Sequence, residues 1–271
     1  MATTDTPPLP DFLIALAHRM ADTSGLILRR YFRTPMKVDR KTDSSPVTIA
    51  DRETELVLRD IVHRTVPTHG LIGEEYGDEN TSAEWVWVLD PIDGTKAFIT
   101  GKPSFCTLIG LVWRGRPVLG IIDQPIAGER WIGGSGLPAQ LNGRPIRVRA
   151  CEGLEKACLY ATEPEMFCHS AASKAVWRRL EKAVALRRFG ADSYAYGLLA
   201  AGFIDLIYEC QLQVYDYLPV TAVVEAAGGV VSKTHGHGDH LSSNVCCVLA
   251  SGDSRVHERA LALLKTQTED P

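Results

Sequence analysis

No apolar run in the 271-residue chain approaches the length of a membrane span, and no signal-peptide-like apolar core opens it. No block of Lys and Arg is present, and the net charge is only −4, which argues against a nucleic-acid partner. The three arginines between Arg29 and Arg33 close an apolar-periodic stretch and read as a solvated helix end. No C-x-x-C occurs, and the cysteine count is odd, at 7. Cys106, Cys210, Cys246 and Cys247 lie in apolar strand-like runs and read as small buried hydrophobes in a reducing compartment. These absences predict a cytoplasmic protein without a membrane partner.

What is present suits a globular enzyme of one large domain or two small ones: 45% hydrophobic and 23% charged residues. Residues 1–10 read as a disordered lead. From residue 9 to 32, Phe12, Leu13, Leu16, Met20, Ile27 and Tyr31 recur at helical spacing. Residues 33–46 read as a loop. Thr48 is placed to cap a second helix that turns Ile49, Leu56, Val57, Ile61 and Val62 inward, and Pro67 ends it. A strand over 85–89 stops at Asp90-Pro91. Strands over 105–113 and 117–123 flank the turn Arg114-Gly115-Arg116, and strands at 131–132 and 146–148 flank Asn142-Gly143, giving an antiparallel meander. Beyond residue 150 the pattern alternates: strand 157–161, helix 170–186, strand 187–189, helix 193–201, strand 204–208, helix 218–227, strands 229–232 and 246–250, helix 255–264. The reading is an N-terminal α+β half over 11–150 and a C-terminal α/β half over 151–271.

The stretch Asp90-Pro91-Ile92-Asp93-Gly94-Thr95 carries the chemistry. A strand delivers Asp90, Gly94 permits a sharp turn, and Thr95 can open a short helix. Carboxylates bind hard cations, and exposed backbone N–H groups bind phosphate oxygens. Gly73-Glu74-Glu75 lies upstream, Asp51 sits in the first turn of the second helix, and Tyr215-Asp216-Tyr217 precedes helix 218–227. Taken singly, an Asp at an element end is a cap and a Glu pair is surface. Several acids at element ends together are what a multi-metal phosphatase needs.

These blocks, with Glu225-Ala226-Ala227-Gly228-Gly229, match in order and spacing the motifs of the inositol monophosphatase family, which the chain resembles from about residue 10 to 265. The resemblance implies a layered αβαβα sandwich, with an antiparallel sheet in the N-terminal half and a mixed sheet in the C-terminal half, usually as a homodimer. It implies two to three Mg²⁺ ions, or Mn²⁺, on Glu74, Asp90, Asp93, the Ile92 carbonyl and Asp216, with Asp51 serving a weaker ion. It implies phosphate held by the Gly94 and Thr95 amides, attack by a water that Glu74, Asp51 and Thr95 prepare, no covalent intermediate, and inhibition by Li⁺.

Three stretches resemble the histidinol-phosphatase subgroup: 93–103, Ile122-Asp123-Gln124-Pro125 with Gly128-Glu129-Arg130-Trp131, and 189–196 with Tyr215-Asp216-Tyr217-Leu218. Histidinol phosphate carries an ammonium and an imidazole, so acids beside the leaving group would help, and Asp192 and Glu209 are the candidates. The plain alternatives are a capping Asp before helix 193–201 and an edge Glu ending strand 204–208. Residues 233–244 depart from the subgroup, and glycines among His235, His237, Asp239 and His240 favour a solvated loop over a zinc site. Inositol monophosphate and nucleotide 3′-phosphates are the competing substrates. An inert metal-dependent scaffold is disfavoured because none of the five acids is missing.

Overall fold

Residues 9–40, 46–168, 170–235 and 246–265 are described by a computed structural model. Helix α1 (Asp11–Tyr31) buries Leu13, Leu16, Ala17, Met20 and Leu28. Phe12, expected on that stripe, is 57% exposed because it sits one residue off the row. Strands β1 (Val38–Arg40) and β2 (Pro46–Thr48) pair antiparallel and lead into helix α2 (Ile49–Thr65). Thr48 caps α2 through a reciprocal box: its hydroxyl accepts from the Ala50 amide, and the Asp51 carboxylate accepts from the Thr48 amide. Leu58, Ile61 and Val62 face inward, whereas Ile49 and Leu56, also expected there, are exposed.

Then follow β3 (Gly70–Gly73), β4 (Gly77–Glu79), β5 (Trp85–Asp93), the short helix α3 (Thr95–Ile99), β6 (Cys106–Trp113), β7 (Arg116–Gln124), β8 (Glu129–Gly134), β9 (Leu137–Leu141) and β10 (Arg144–Pro145). They make an eight-stranded sheet in the order β10-β9-β8-β7-β6-β5-β3-β4. Only β3 and β5 pair parallel. Arg114 and Gly115 both take positive φ (46° and 79°), which lets the β6–β7 hairpin turn in two residues. The Asn142-Gly143 turn joins β9 to β10 rather than flanking Trp131-Ile132. Strand β9 escapes sequence reading because Pro138 and Gln140 blur its alternation.

The second sheet is built from β11 (Cys158–Ala161), β12 (Leu186–Phe189), β13 (Leu206–Leu212), β14 (Val230–His235) and β15 (Cys246–Ser251), in the order β12-β11-β13-β15-β14. Strand β11 runs parallel to β12 and β13, and β15 antiparallel to β13 and β14. Helices α4 (Ala171–Ala183), α5 (Tyr194–Ala200), α6 (Val214–Ala226) and α7 (Ser254–Lys265) interleave with them. Helices α1 and α2 cover one face of the large sheet, α5 and α6 lie between the sheets, and α4 and α7 cover the far face of the small sheet. This is the αβαβα sandwich that the resemblance implied.

Helix α6 is apolar on nearly every side, as a helix between two sheets must be. It begins at Val214, not Leu218, so Asp216 lies inside its first turn. The Asp216 carboxylate accepts from the Gln213 amide (2.7 Å) and closes that turn. The helix rests in a trench of glycine. Gly110 pairs with Gly120, and Gly120 with Gly133, in one row across β6, β7 and β8. A Cβ on Gly120 would lie 1.9 Å from the Pro219 carbonyl oxygen, and one on Gly133 2.7 Å from the Ala226 Cβ.

Two cysteines depart from expectation. Cys210 and Cys247 are joined as a disulfide between the neighbouring strands β13 and β15, a proximity hidden by a sequence separation of 37. Cys106 is a free, buried thiol, as read from its apolar run. Residues 1–8 of the lead, and His237, Asp239 and His240 of the His-rich stretch, lie outside the described residues; His235 ends β14. Among the described residues no helix is long and apolar enough to cross a membrane.

Gly120→Ala is expected to displace α6 and destabilise the protein by about 1–3 kcal/mol; urea unfolding measures it, and an unchanged midpoint would refute the close contact. A second expectation concerns pH. His257 is buried in α7 between the Ser232 and Ser251 hydroxyls (2.8 Å each), and burial lowers its pKa to about 4. The unfolded chain takes up this proton near pH 6.5, so stability present above that value declines as pH falls toward 4. His257→Gln should remove up to about one proton from the uptake on unfolding in that window, read from thermal midpoints between pH 7 and 4.

Candidate active site

Two acids three residues apart on a straight strand face opposite sides of a sheet. Asp90 and Asp93 face the same cluster because β5 carries a bulge. Asp90 pairs with Leu108 and Asp93 with Cys106, so β5 holds one extra residue between them. The strand therefore does not end at Asp90, as the sequence suggested. Pro91 is tolerated inside the bulge, where its carbonyl accepts from the Thr107 hydroxyl (2.9 Å). The Ile92 amide donates to the Asp90 carboxylate (3.0 Å). Gly94 then takes φ 83°, a conformation that suits glycine, and turns the chain into α3.

Helix α6 brings Asp216 to this bulge from the other sheet's side. One carboxylate oxygen each from Asp90, Asp93 and Asp216 lies within 4.8 Å of the others. Desolvation raises the pKa of all three. For Asp90 the charges of Glu74, Asp93 and Asp216 add to it, and for Asp216 those of Asp93 and Glu74. The Ser193 amide, donating to Asp93 (2.6 Å), opposes the shift there. Hard oxygen donors that repel one another in a desolvated cleft fit a Mg²⁺-like cation, whose charge would relieve the repulsion.

Glu74 follows β3 directly and lines the cleft. The Ile92 carbonyl accepts from the Thr95 hydroxyl (3.1 Å). Asp51 lies outside the trio and reaches it through Thr95, whose hydroxyl is 3.4 Å from its Oδ1. Its other oxygen accepts from the Thr48 amide (2.8 Å) and hydroxyl (2.6 Å), so Asp51 caps α2 as well. Burial pushes its pKa up to about 6, against those hydrogen bonds.

The cleft beside the trio has a volume of about 260 Å³. Larger hollows, of about 470 and 370 Å³, lie elsewhere and include none of these acids. Asp192 and Glu209 both line the cleft, and Asp192 packs directly against Gly94, where a Cβ would lie 2.8 Å from its Cγ. Asp192 takes φ 49°, and Ser193, not Asp192, holds the cap position of α5. Its pKa is raised to about 7 by burial and then by Asp93, against the pull of Lys102. Glu209 lies within β13 rather than at its end and is 3% exposed. It accepts from the Thr162 hydroxyl (2.5 Å) and the Tyr196 hydroxyl (3.0 Å), and burial raises its pKa to about 7.

Sequence reasoning missed the support beneath Glu74. Glu55, fully buried on α2, accepts from the Glu75 amide (2.7 Å), the Tyr76 amide (3.1 Å) and Arg59 Nε (2.8 Å). Arg59 in turn donates to Glu79 (2.8 Å). A Cβ on Gly73 would lie 2.1 Å from the Glu55 carboxylate. The signal was present as Asp51, Glu55 and Arg59 at four-residue intervals, one face of a helix. Lys102, Ser104, Thr162 and Glu163 were also missed.

Known proteins share the sequence pattern and the fold of this chain. The profile of the inositol monophosphatase family matches residues 10–269. The bifunctional phosphatase IMPL2, chloroplastic, of Arabidopsis thaliana is 44% identical over 263 residues, covering 94% of this chain and 75% of that protein. The histidinol-phosphatase of Chlorobaculum parvum is 33% identical over 221 residues, covering 81% of this chain and 84% of that protein. The solved structure of an inositol monophosphatase from Zymomonas mobilis has a TM-score of 0.85 at 40% identity, covering 96% of this chain and 100% of that one.

Glu55→Ala should leave two amides and the Arg59 Nε–H without their acceptor, at a cost of about 1–3 kcal/mol each. A lowered thermal midpoint and a higher Mg²⁺ concentration for half-maximal phosphate release are expected. A normal Mg²⁺ requirement would show that Glu74 keeps its place without Glu55.

Proposed function

The chain belongs to the inositol monophosphatase family, and on that premise we propose that this phosphatase is Mg²⁺-dependent and hydrolyses L-histidinol phosphate to histidinol and phosphate, a step of histidine biosynthesis. One observation carries the substrate: Asp192 and Glu209, two desolvated carboxylates, line the cleft beside the acid trio. A leaving group with an ammonium and an imidazole gives each an opposite charge. A sugar alcohol brings neither acid a charge, and leaves Asp192 with the pull of Lys102 alone. The likenesses to IMPL2 and to a histidinol-phosphatase support the same reading.

In this proposal Glu74, Asp90, Asp93, Asp216 and the Ile92 carbonyl would hold Mg²⁺, and Asp51 would serve a more weakly held ion. Bound Mg²⁺ supplies positive charge against the phosphoryl dianion and makes water a better nucleophile. The Thr95 hydroxyl, set between Asp51 and the Ile92 carbonyl, orients the attacking water, and Asp51 takes the proton passed through it. The Gly94 and Thr95 amides face the phosphoryl oxygens. Asp192 and Glu209 orient the leaving alcohol. Li⁺ inhibition and a homodimer belong to the same reading.

A second reading, inositol monophosphate as substrate, is favoured by the likeness to the Zymomonas mobilis enzyme. Phosphate release with Mg²⁺ from histidinol phosphate and inositol 1-phosphate, measured side by side, separates the two. The expected result is a kcat/KM at least about tenfold higher for histidinol phosphate, with folded Asp93→Asn silent on both. Equal rates, or preference for inositol phosphate, would refute the substrate. An active, Mg²⁺-dependent Asp93→Asn enzyme would sink the metal assignment.

A further inference from the structure

The mouth of the cleft is spanned by one ion pair. Lys96, on α3, donates through Nζ to both carboxylate oxygens of Glu163 (2.7 and 2.9 Å) across 67 residues of sequence. Both side chains line the cleft. Lys96 follows Gly94 and Thr95, on the bank proposed to receive the phosphoryl group. Glu163 lies on the segment between β11 and α4, close enough to Asp192 for its charge to be felt there.

Neither element needs this pair to fold. Helix α3 is anchored by Phe98 against Phe32 and Phe105, and the Glu163 segment by the buried Met166 and Phe167. The side chains are 65% and 37% exposed, and such a surface pair contributes only about 0–1 kcal/mol. Opening it therefore costs little, provided each charge finds another partner at once. Closed, the pair is neutral. Open, it presents a cation on the phosphoryl bank and an anion on the leaving-group bank.

We propose that Lys96 and Glu163 act as a partner-exchange latch: the phosphoryl group of the substrate takes Lys96, its ammonium takes Glu163, and the cleft thereby selects phosphate esters of cationic alcohols. The inference rests on the proposed phosphomonoesterase reading of this cleft. A phosphate ester without a cation cannot satisfy both halves. If it draws Lys96 away, Glu163 loses its own cation and is left beside Asp192, whose charge Lys102 already opposes. If it does not, the pair stays closed across the mouth.

The test measures kcat and KM for L-histidinol phosphate, O-phosphoethanolamine and glycerol 2-phosphate with the wild-type enzyme, Glu163→Gln and Lys96→Met. Glu163→Gln is expected to lower the ratio of kcat/KM for the two ammonium esters over glycerol 2-phosphate about tenfold, mainly through KM. The same variant frees Lys96, so its KM for glycerol 2-phosphate should fall. Lys96→Met should raise KM for the ammonium esters. An unchanged ratio in Glu163→Gln, with a wild type that hydrolyses these esters, overturns the latch and leaves the phosphatase reading intact. A wild type that releases phosphate from none of them overturns that reading, and the latch with it.

Discussion

Helix α6 touches the large sheet at a distance that only glycine permits, and the rest of the molecule is arranged around that contact. The row Gly110, Gly120 and Gly133 removes three side chains from three adjacent strands, and the helix settles into the space with Pro219, Ala222 and Ala226 against bare backbone. An ordinary sheet surface would hold the helix a side chain farther away, and Asp216 would withdraw from Asp90 and Asp93 by a comparable amount. The small sheet packs on the other side of α6, so its own distance to the large sheet follows from the same trench. A helix without a polar face can serve here because neither side of it meets solvent for most of its length.

That packing holds together charges that oppose it. Desolvation disfavours ionisation of all three acids, and the charge of Asp93 adds to it at Asp90 and at Asp216, as that of Asp216 does at Asp90. The strain is confined by short hydrogen bonds that fix individual acids: the Gln213 amide on Asp216, the Ser193 amide on Asp93, the Ile92 amide on Asp90. Each is a backbone donor one to three residues from an element boundary, or brought in from a neighbouring element. The acids are thus held by main chain, which moves less than a side-chain partner would. Glu55 extends the same principle one layer out, since it holds the main chain that follows Glu74.

The acids that meet in the cleft were legible in the sequence because each ends or begins an element whose apolar run was clear: Glu74 after Leu71-Ile72, Asp90 after Val86 to Leu89, Asp51 after Thr48. The layered fold followed from alternation beyond residue 150 and from the family motifs. What escaped depends on contacts across the chain. The bulge at Pro91 is defined only by its register against β6, and local rules read Pro91 as a stop. The true start of α6, four residues before Leu218, is hidden because no Ser, Thr or Asn precedes Val214, and Gln213 holds the cap position instead. The orientation of Ile49 and Leu56 depends on which face of α2 meets α1. The Cys210–Cys247 link and the Lys96–Glu163 pair each join segments with no local signal for the other.

Chain order adds a consequence in time. Asp90 and Asp93 stand on the first sheet, whereas Asp216 arrives on a helix made more than a hundred residues later. At a synthesis rate of about 5–20 residues per second, roughly ten seconds separate them. Once Gly133 has been added and until α6 follows, the glycine trench is an open apolar face, and the carboxylate cluster lacks one wall. The growing chain therefore passes through a stage in which its largest sheet is made but has nothing to bind and one face to hide. A ribosome that stops early releases a fragment without the acid trio, so the proposed metal site is completed late, when α6 drops into place.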